Sequence, residues 1–136
     1  MGAELQQLNW LAIVVAAVAG YFPGAIWYSP IAFLRPWARE LGVDLNQKPK
    51  GVGARIAIGL IPALIASTAL ALVVGPHPSL HEACARAFIV AVGFIATSFA
   101  VQYLYENRSV TFWLINSGYH LLQFLIMGAI LALWPW

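Results

Sequence analysis

Apolar residues fall into four long runs, 8–28, 52–74, 84–104 and 110–134, separated by short polar stretches. A helix rises ~1.5 Å per residue, so ~20 residues cross a hydrocarbon core ~30 Å thick. Each run reaches that length and holds no charged side chain in its middle. The pattern predicts an all-α integral membrane protein, a four-helix bundle forming one transmembrane domain over residues 1–136.

Segment 29–42 is too short and too charged to span. Ser29 suits a helix cap, Pro30 the first helical position and Gly42 the end, which predicts a short interfacial amphipathic helix after the first span. Phe33, Trp37 and Leu41 would share one face, with Arg35 and Arg39 on another among lipid phosphates. Pro36 is expected to bend or interrupt it. Residues 43–51 read as an exposed hinge. Trp10, Trp27, Trp37, Trp113, Trp134 and Trp136 fall near the expected membrane edges, where amphipathic rings settle.

Composition agrees with lipid as solvent: 62% of residues are hydrophobic and 9% charged, against roughly 25% charged in a soluble domain. A net charge of +2 is too small to suggest a nucleic-acid partner. The single Cys84 forms no internal disulfide. The first run is read as a retained helix, since residues 1–7 carry Glu4 and no Lys or Arg, the wrong sign for a secretory leader. Gly2 lacks the downstream Ser or Thr of a myristoylation signal. Arg35, Arg39, Lys48, Lys50 and Arg55 lie in or beside the first loop, whereas Arg86 alone flanks the second. The positive-inside rule then predicts a multi-pass protein of the bacterial inner membrane, with loop one cytoplasmic and both termini periplasmic.

Small residues recur at four-residue spacing: Ala16, Gly20 and Gly24 in the first span, Gly59, Ala63, Ser67 and Ala71 in the second, Gly128 in the fourth. Such rows let helix backbones approach closely. They serve either a homo-oligomer interface or packing within one bundle. Pro23 and Pro62 each remove a backbone donor and are expected to kink their helices.

Asn116, His120, Gln123 and Met127 share one face of the fourth span. Polar groups at that depth need partners, and Thr97, Ser98 and Gln102 on the third span and Tyr21 on the first are the candidates. The face reads as a pocket for a small solute, as a haem or pigment site at His120, or as a hydrogen-bonded network that fixes bundle geometry. His77, His81, Glu82 and Cys84 offer weak metal ligation. The same stretch also reads as a capping box, in which Ser79 caps the third helix and Glu82 reaches back. No phosphate loop, catalytic triad or paired carboxylate supports an enzyme, and no motif calls for a cofactor.

Three stretches resemble the family of small bacterial membrane proteins known as domain of unknown function 1761: Asn9 to Ala12; Gly24 to Pro30 with Phe33 and Trp37; and Leu114 to Tyr119 with Met127 to Ile130. The resemblance implies four membrane helices and no established activity. It marks Asn9, Trp27, Tyr28, Ser29, Pro30, Trp37, Asn116 and Tyr119 as site residues. The W-Y-S-P step is its most specific part, an elbow that either shapes a groove or sets helix depth. Together these features predict a non-catalytic structural or accessory subunit, self-associating or docked in a larger membrane complex. The alternatives are a solute or lipid carrier using the polar face, and a haem or pigment protein.

Overall fold

A computed structural model describes residues 1–135; Trp136 lies outside the described residues. Every regular element among them is helical. A short α1 (Gly2–Gln6) precedes α2 (Trp10–Tyr21), whose start is capped by Asn9: its side-chain oxygen accepts from the Ala12 amide at 3.0 Å. Pro23 opens α3 (Pro23–Trp27), so the first span is divided at Phe22, where proline lacks the N–H that would continue the ladder. α4 (Leu34–Leu41) follows the first span, then α5 (Val52–Val74), α6 (Leu80–Val90), a π-helical segment (Ala91–Ala96), α7 (Thr97–Tyr105) and α8 (Val110–Leu133). Four stretches are long and apolar enough to cross a membrane: Trp10–Trp27, Val52–Val74, Leu80–Tyr105 and Val110–Leu133.

Several sequence expectations need correction. The third span begins at Leu80 rather than 84, because the Ser79–Glu82 capping box starts the helix before the apolar run does. Segment 29–42 is helical only from Leu34; Ser29 does not cap forward but donates to the Ile26 carbonyl of α3 at 2.6 Å, and residues 30–33 form turns. Pro36 does not interrupt α4, since it sits in the first turn, where backbone donors lack intrahelical partners anyway. Pro62 lies inside α5, which continues through it as one helix. Gly42 does end α4, with the left-handed φ of 69° that closes a helix.

α8 is the centre of the bundle. It is the least apolar span, with mean hydropathy 1.4, and yet half of it is buried, against 28%, 22% and 17% for the other three in order. Its amides, imidazole and hydroxyls are costly in lipid, so packing the other helices around it spares them that exposure. The tight core joins Ala12, Ile13 and Ala16 of α2, Leu70, Ala71 and Val74 of α5, Ala83 and Ala87 of α6, and Phe124, Met127 and Leu131 of α8. Gly20 lies against Met127 of α8, and Gly128 against the Ala83 carbonyl of α6. Ser67 donates to the Ile13 carbonyl at 2.9 Å. The small-residue rows therefore join helices within this chain.

That core occupies the half of the bundle remote from loop one. In the other half every residue from 51 to 58 is exposed. On the loop-one side α4 is fastened to the start of α8: Ser109 Oγ donates to the Glu40 carboxylate, and Arg108 reaches the Glu40 carbonyl at 3.4 Å. At the opposite end Arg86 donates to the Val74 carbonyl, placing a cation at the C-terminus of α5, where the helix dipole favours it.

Candidate functional site, a cleft beside His120

The elbow after α3 docks on α8. Trp27 Nε1 donates to the Ile115 carbonyl at 2.9 Å, and its ring lies where a Cβ on Gly118 would come within 2.9 Å. Trp27, expected as a membrane-edge anchor, is thus a stitch between helices. Phe33 packs on it with ring centroids 4.6 Å apart. Tyr28 donates to Asn116 Oδ1 at 2.8 Å, and the Asn116 amide nitrogen donates to Tyr103 Oη at 3.0 Å. Tyr28 also meets Trp37 of α4 edge-on at 5.6 Å and Tyr119 at 5.5 Å. Asn116 is therefore consumed in joining α3, α7 and α8. Pro30, Arg35 and Arg39 remain exposed on the outer side of the elbow.

One turn further along α8 the surroundings change. Tyr119 donates to the Tyr21 carbonyl at 2.8 Å, and Tyr21 donates across to the Ile56 carbonyl of α5 at 3.2 Å. Gly59 provides the room for that tyrosine, since a side chain there would collide with its hydroxyl. Gly24 faces the Tyr119 ring in the same way, at 3.0 Å from a built Cβ. Two cavities flank this tyrosine pair. One, of about 360 Å³, is lined by Tyr21, Phe22, Gly24, Ala25, Tyr28, Ile56 and Tyr119. The other, of about 320 Å³, is lined by Tyr21, Gly59, Pro62, Ala63, Ala66, Ile95, Tyr119, His120, Gln123 and Phe124.

His120 lies ~15 Å along α8 from Val110 at ~1.5 Å per residue, about halfway through a ~30 Å core. Its Nδ1 is 2.8 Å from Gln123 Oε1, one turn on, and its ring is flanked by Phe99 at 5.4 Å and Tyr119 at 5.1 Å. The structure thus brings Tyr21, Tyr119, His120 and Gln123 to one cleft, and sets Asn116 apart from it.

The expected partners on the third span do not take part. Gln102 is exposed and bonds Glu106 of its own helix at 2.8 Å. Thr97 and Ser98 return to the carbonyls of Gly93 and Phe94. The reason is the π-helical segment, whose wider turn rotates the residues after it relative to a regular helix. Tyr103, not singled out from sequence, comes inward instead, and Trp113 donates to the Ala96 carbonyl at 2.7 Å. The small-residue content around Gly93 hints at an irregular turn, but nothing in the apolar pattern announces one.

The metal candidates take other roles. Glu82 accepts from Ser79 in the capping box, His81 is exposed and Cys84 half-buried. Among the described residues no group of three His, Cys, Asp or Glu side chains is placed to hold a metal ion.

Fold and cleft define a small polytopic membrane protein with a central polar helix and a cavity at mid-depth. The chain belongs to the family described as protein of unknown function (DUF1761), whose model matches residues 11–132. No curated protein and no solved structure matches it.

Proposed function

We propose that the protein is a non-catalytic binding protein of the bacterial inner membrane, holding a small lipid-soluble molecule in the cleft beside His120. The observation that carries this is the cavity of about 320 Å³ with an imidazole and an amide on its wall at mid-membrane depth. Small-molecule sites begin near ~300 Å³, so this open cleft has room for one. No charged side chain lines it, so a neutral molecule suits it better than an ion.

The test is native mass spectrometry of protein released from nanodiscs made with its own lipids. A bound small molecule should be retained by the wild type and lost from Ala66→Phe, which fills the cleft. Equal retention by both would rule against the reading.

A second reading, the accessory subunit or homo-oligomer, is favoured by the start of α5, where residues 52–58 are each exposed although Tyr21 holds the Ile56 carbonyl. It calls for a defined oligomer or partner in mild detergent, and a lone monomer would count against it. The haem or pigment reading of His120 ranks below both, since the cleft barely reaches the size of a small-molecule site. The Lys and Arg residues of loop one support a cytoplasmic placement for that loop and periplasmic termini.

A further inference from the structure

A groove between α7 and α8 ends at a guanidinium whose donors are mostly unused. Arg108 lies in the turn between the spans Leu80–Tyr105 and Val110–Leu133, which sets it at the level of the lipid headgroups. Its guanidinium packs over the Phe112 ring, 5.3 Å from the centroid. Among the described residues its one hydrogen bond is the 3.4 Å contact from Nη1 to the Glu40 carbonyl. Nε is buried without a hydrogen-bond partner, since Glu106 Oε2 stands 3.6 Å away, too far for one. Nη2 lacks a partner too but, unlike Nε, is not sealed from the surroundings. Two carboxylates accompany this one cation. Glu40 is taken up by Ser109, whereas Glu106 is 43% exposed and accepts from Gln102 through Oε1. The groove itself, about 230 Å³, is lined by Arg108 and Ser109 together with Ala100, Leu104, Val110 and Trp113. Leu104 and Val110 are largely exposed, so it opens toward lipid.

We infer that this groove holds a phospholipid with an ethanolamine-type headgroup, its phosphate on Arg108, its ammonium on Glu106 and part of one acyl chain along Leu104 and Val110. A phosphate oxygen accepts from the terminal N–H groups that the protein leaves unused. α8 begins at Val110, so the positive end of its dipole adds to the guanidinium. A purely anionic lipid would bring a third negative charge to Glu40 and Glu106. An ethanolamine headgroup carries its ammonium two carbons from the phosphate ester oxygen, which offsets that charge and donates to the exposed Glu106 carboxylate. A choline headgroup has the same charge and no N–H to donate. The groove is smaller than a site for a whole small molecule. A lipid already in the bilayer needs only part of its chain held there. This site shares no lining residue with the cleft beside His120 and stands apart from the binding reading above.

The test is native mass spectrometry of the full chain in mild-detergent micelles, titrated with phosphatidylethanolamine, phosphatidylcholine or phosphatidylglycerol carrying the same acyl chains. Phosphatidylethanolamine should half-saturate the protein at a concentration about tenfold below the other two, the worth of one charge-assisted hydrogen bond. Arg108→Gln should weaken all three and erase the ranking. Glu106→Gln should bring phosphatidylethanolamine and phosphatidylglycerol level, because it removes both the partner of the ammonium and a repelling charge. If Arg108→Gln does not fold, Glu106→Gln, which alters an exposed side chain, decides alone. Equal binding of the three lipids by the wild type, or tightest binding of phosphatidylglycerol, overturns the inference. A ranking unchanged in Glu106→Gln overturns it as well. Water-soluble glycerophosphoethanolamine should displace the lipid poorly, and displacement at equal concentration would rule out a role for the acyl chain and the groove.

Discussion

The hydroxyl of Tyr28 donates to Oδ1 of Asn116 at 2.8 Å, joining residues 88 positions apart. The bond ties the elbow after the first span to the central helix. Asn116 passes the link on to Tyr103, so one amide unites α3, α7 and α8. Interhelical hydrogen bonds in membranes average ~0.6 kcal/mol and reach ~1.7. A double-mutant cycle of Tyr28→Phe and Asn116→Ala should give a coupling energy in that range, read from unfolding in mixed micelles. Strictly additive effects would mean the pair contributes nothing beyond its two side chains.

Gly118 leaves space for the Trp27 ring, and a Cβ there would come within 2.9 Å of it. Gly118→Val should therefore destabilise by ~1–3 kcal/mol, the usual cost of overpacking. Trp27→Ala in the same chain should recover part of that loss, because it removes the clashing ring. Thermal melts of the two single variants and the double variant check this, and a Gly118→Val protein as stable as the wild type would refute the contact.

Ser117 is buried, and among the described residues its hydroxyl has no hydrogen-bond partner. An unsatisfied polar group opposes burial. Ser117→Ala should leave stability unchanged or raise it by up to ~1 kcal/mol. A clear loss in the melting temperature would reveal a bond formed by that hydroxyl.

Ser79 both caps the third span and bonds Glu82 at 2.8 Å. Ser79→Ala should cost ~0.5–2 kcal/mol, the usual worth of a helix cap. Hydrogen exchange should show faster opening over residues 80–84, with α8 unaffected. Slowed or unchanged exchange there would contradict the cap.

Reporter fusions address orientation. Fusions at Gln47 and Asn107 should report the same side, because α4 and the start of α8 touch through Glu40 and Ser109, and on the proposed orientation that side is the cytoplasm. A fusion at His77 should report the opposite side. Signals of opposite sign at 47 and 107 would break the arrangement.

Much of this protein is legible in one dimension because its solvent is oil. Span length and the lack of central charge follow from composition alone, so four helices could be placed without any tertiary knowledge. The capping box and the Gly42 terminus were equally readable, since their partners lie within a few residues. The polar face of α8 was visible as spacing, and so was the need to shelter it.

What it would meet was not. Pairing Asn116 with Tyr28 rather than a third-span amide, and turning Tyr103 inward while Gln102 faces out, depended on a π-helical turn that has no signature in the apolar pattern. The cleft depended on residues of four spans meeting around Tyr21, among them Gly59 and Pro62 of α5, Ile95 of the π-helical segment and His120 of α8. In lipid each helix satisfies its own backbone, so sequence settles which segments cross. How they lean on one another is left to side-chain packing and a few hydrogen bonds between distant residues, and only the assembled bundle decides those.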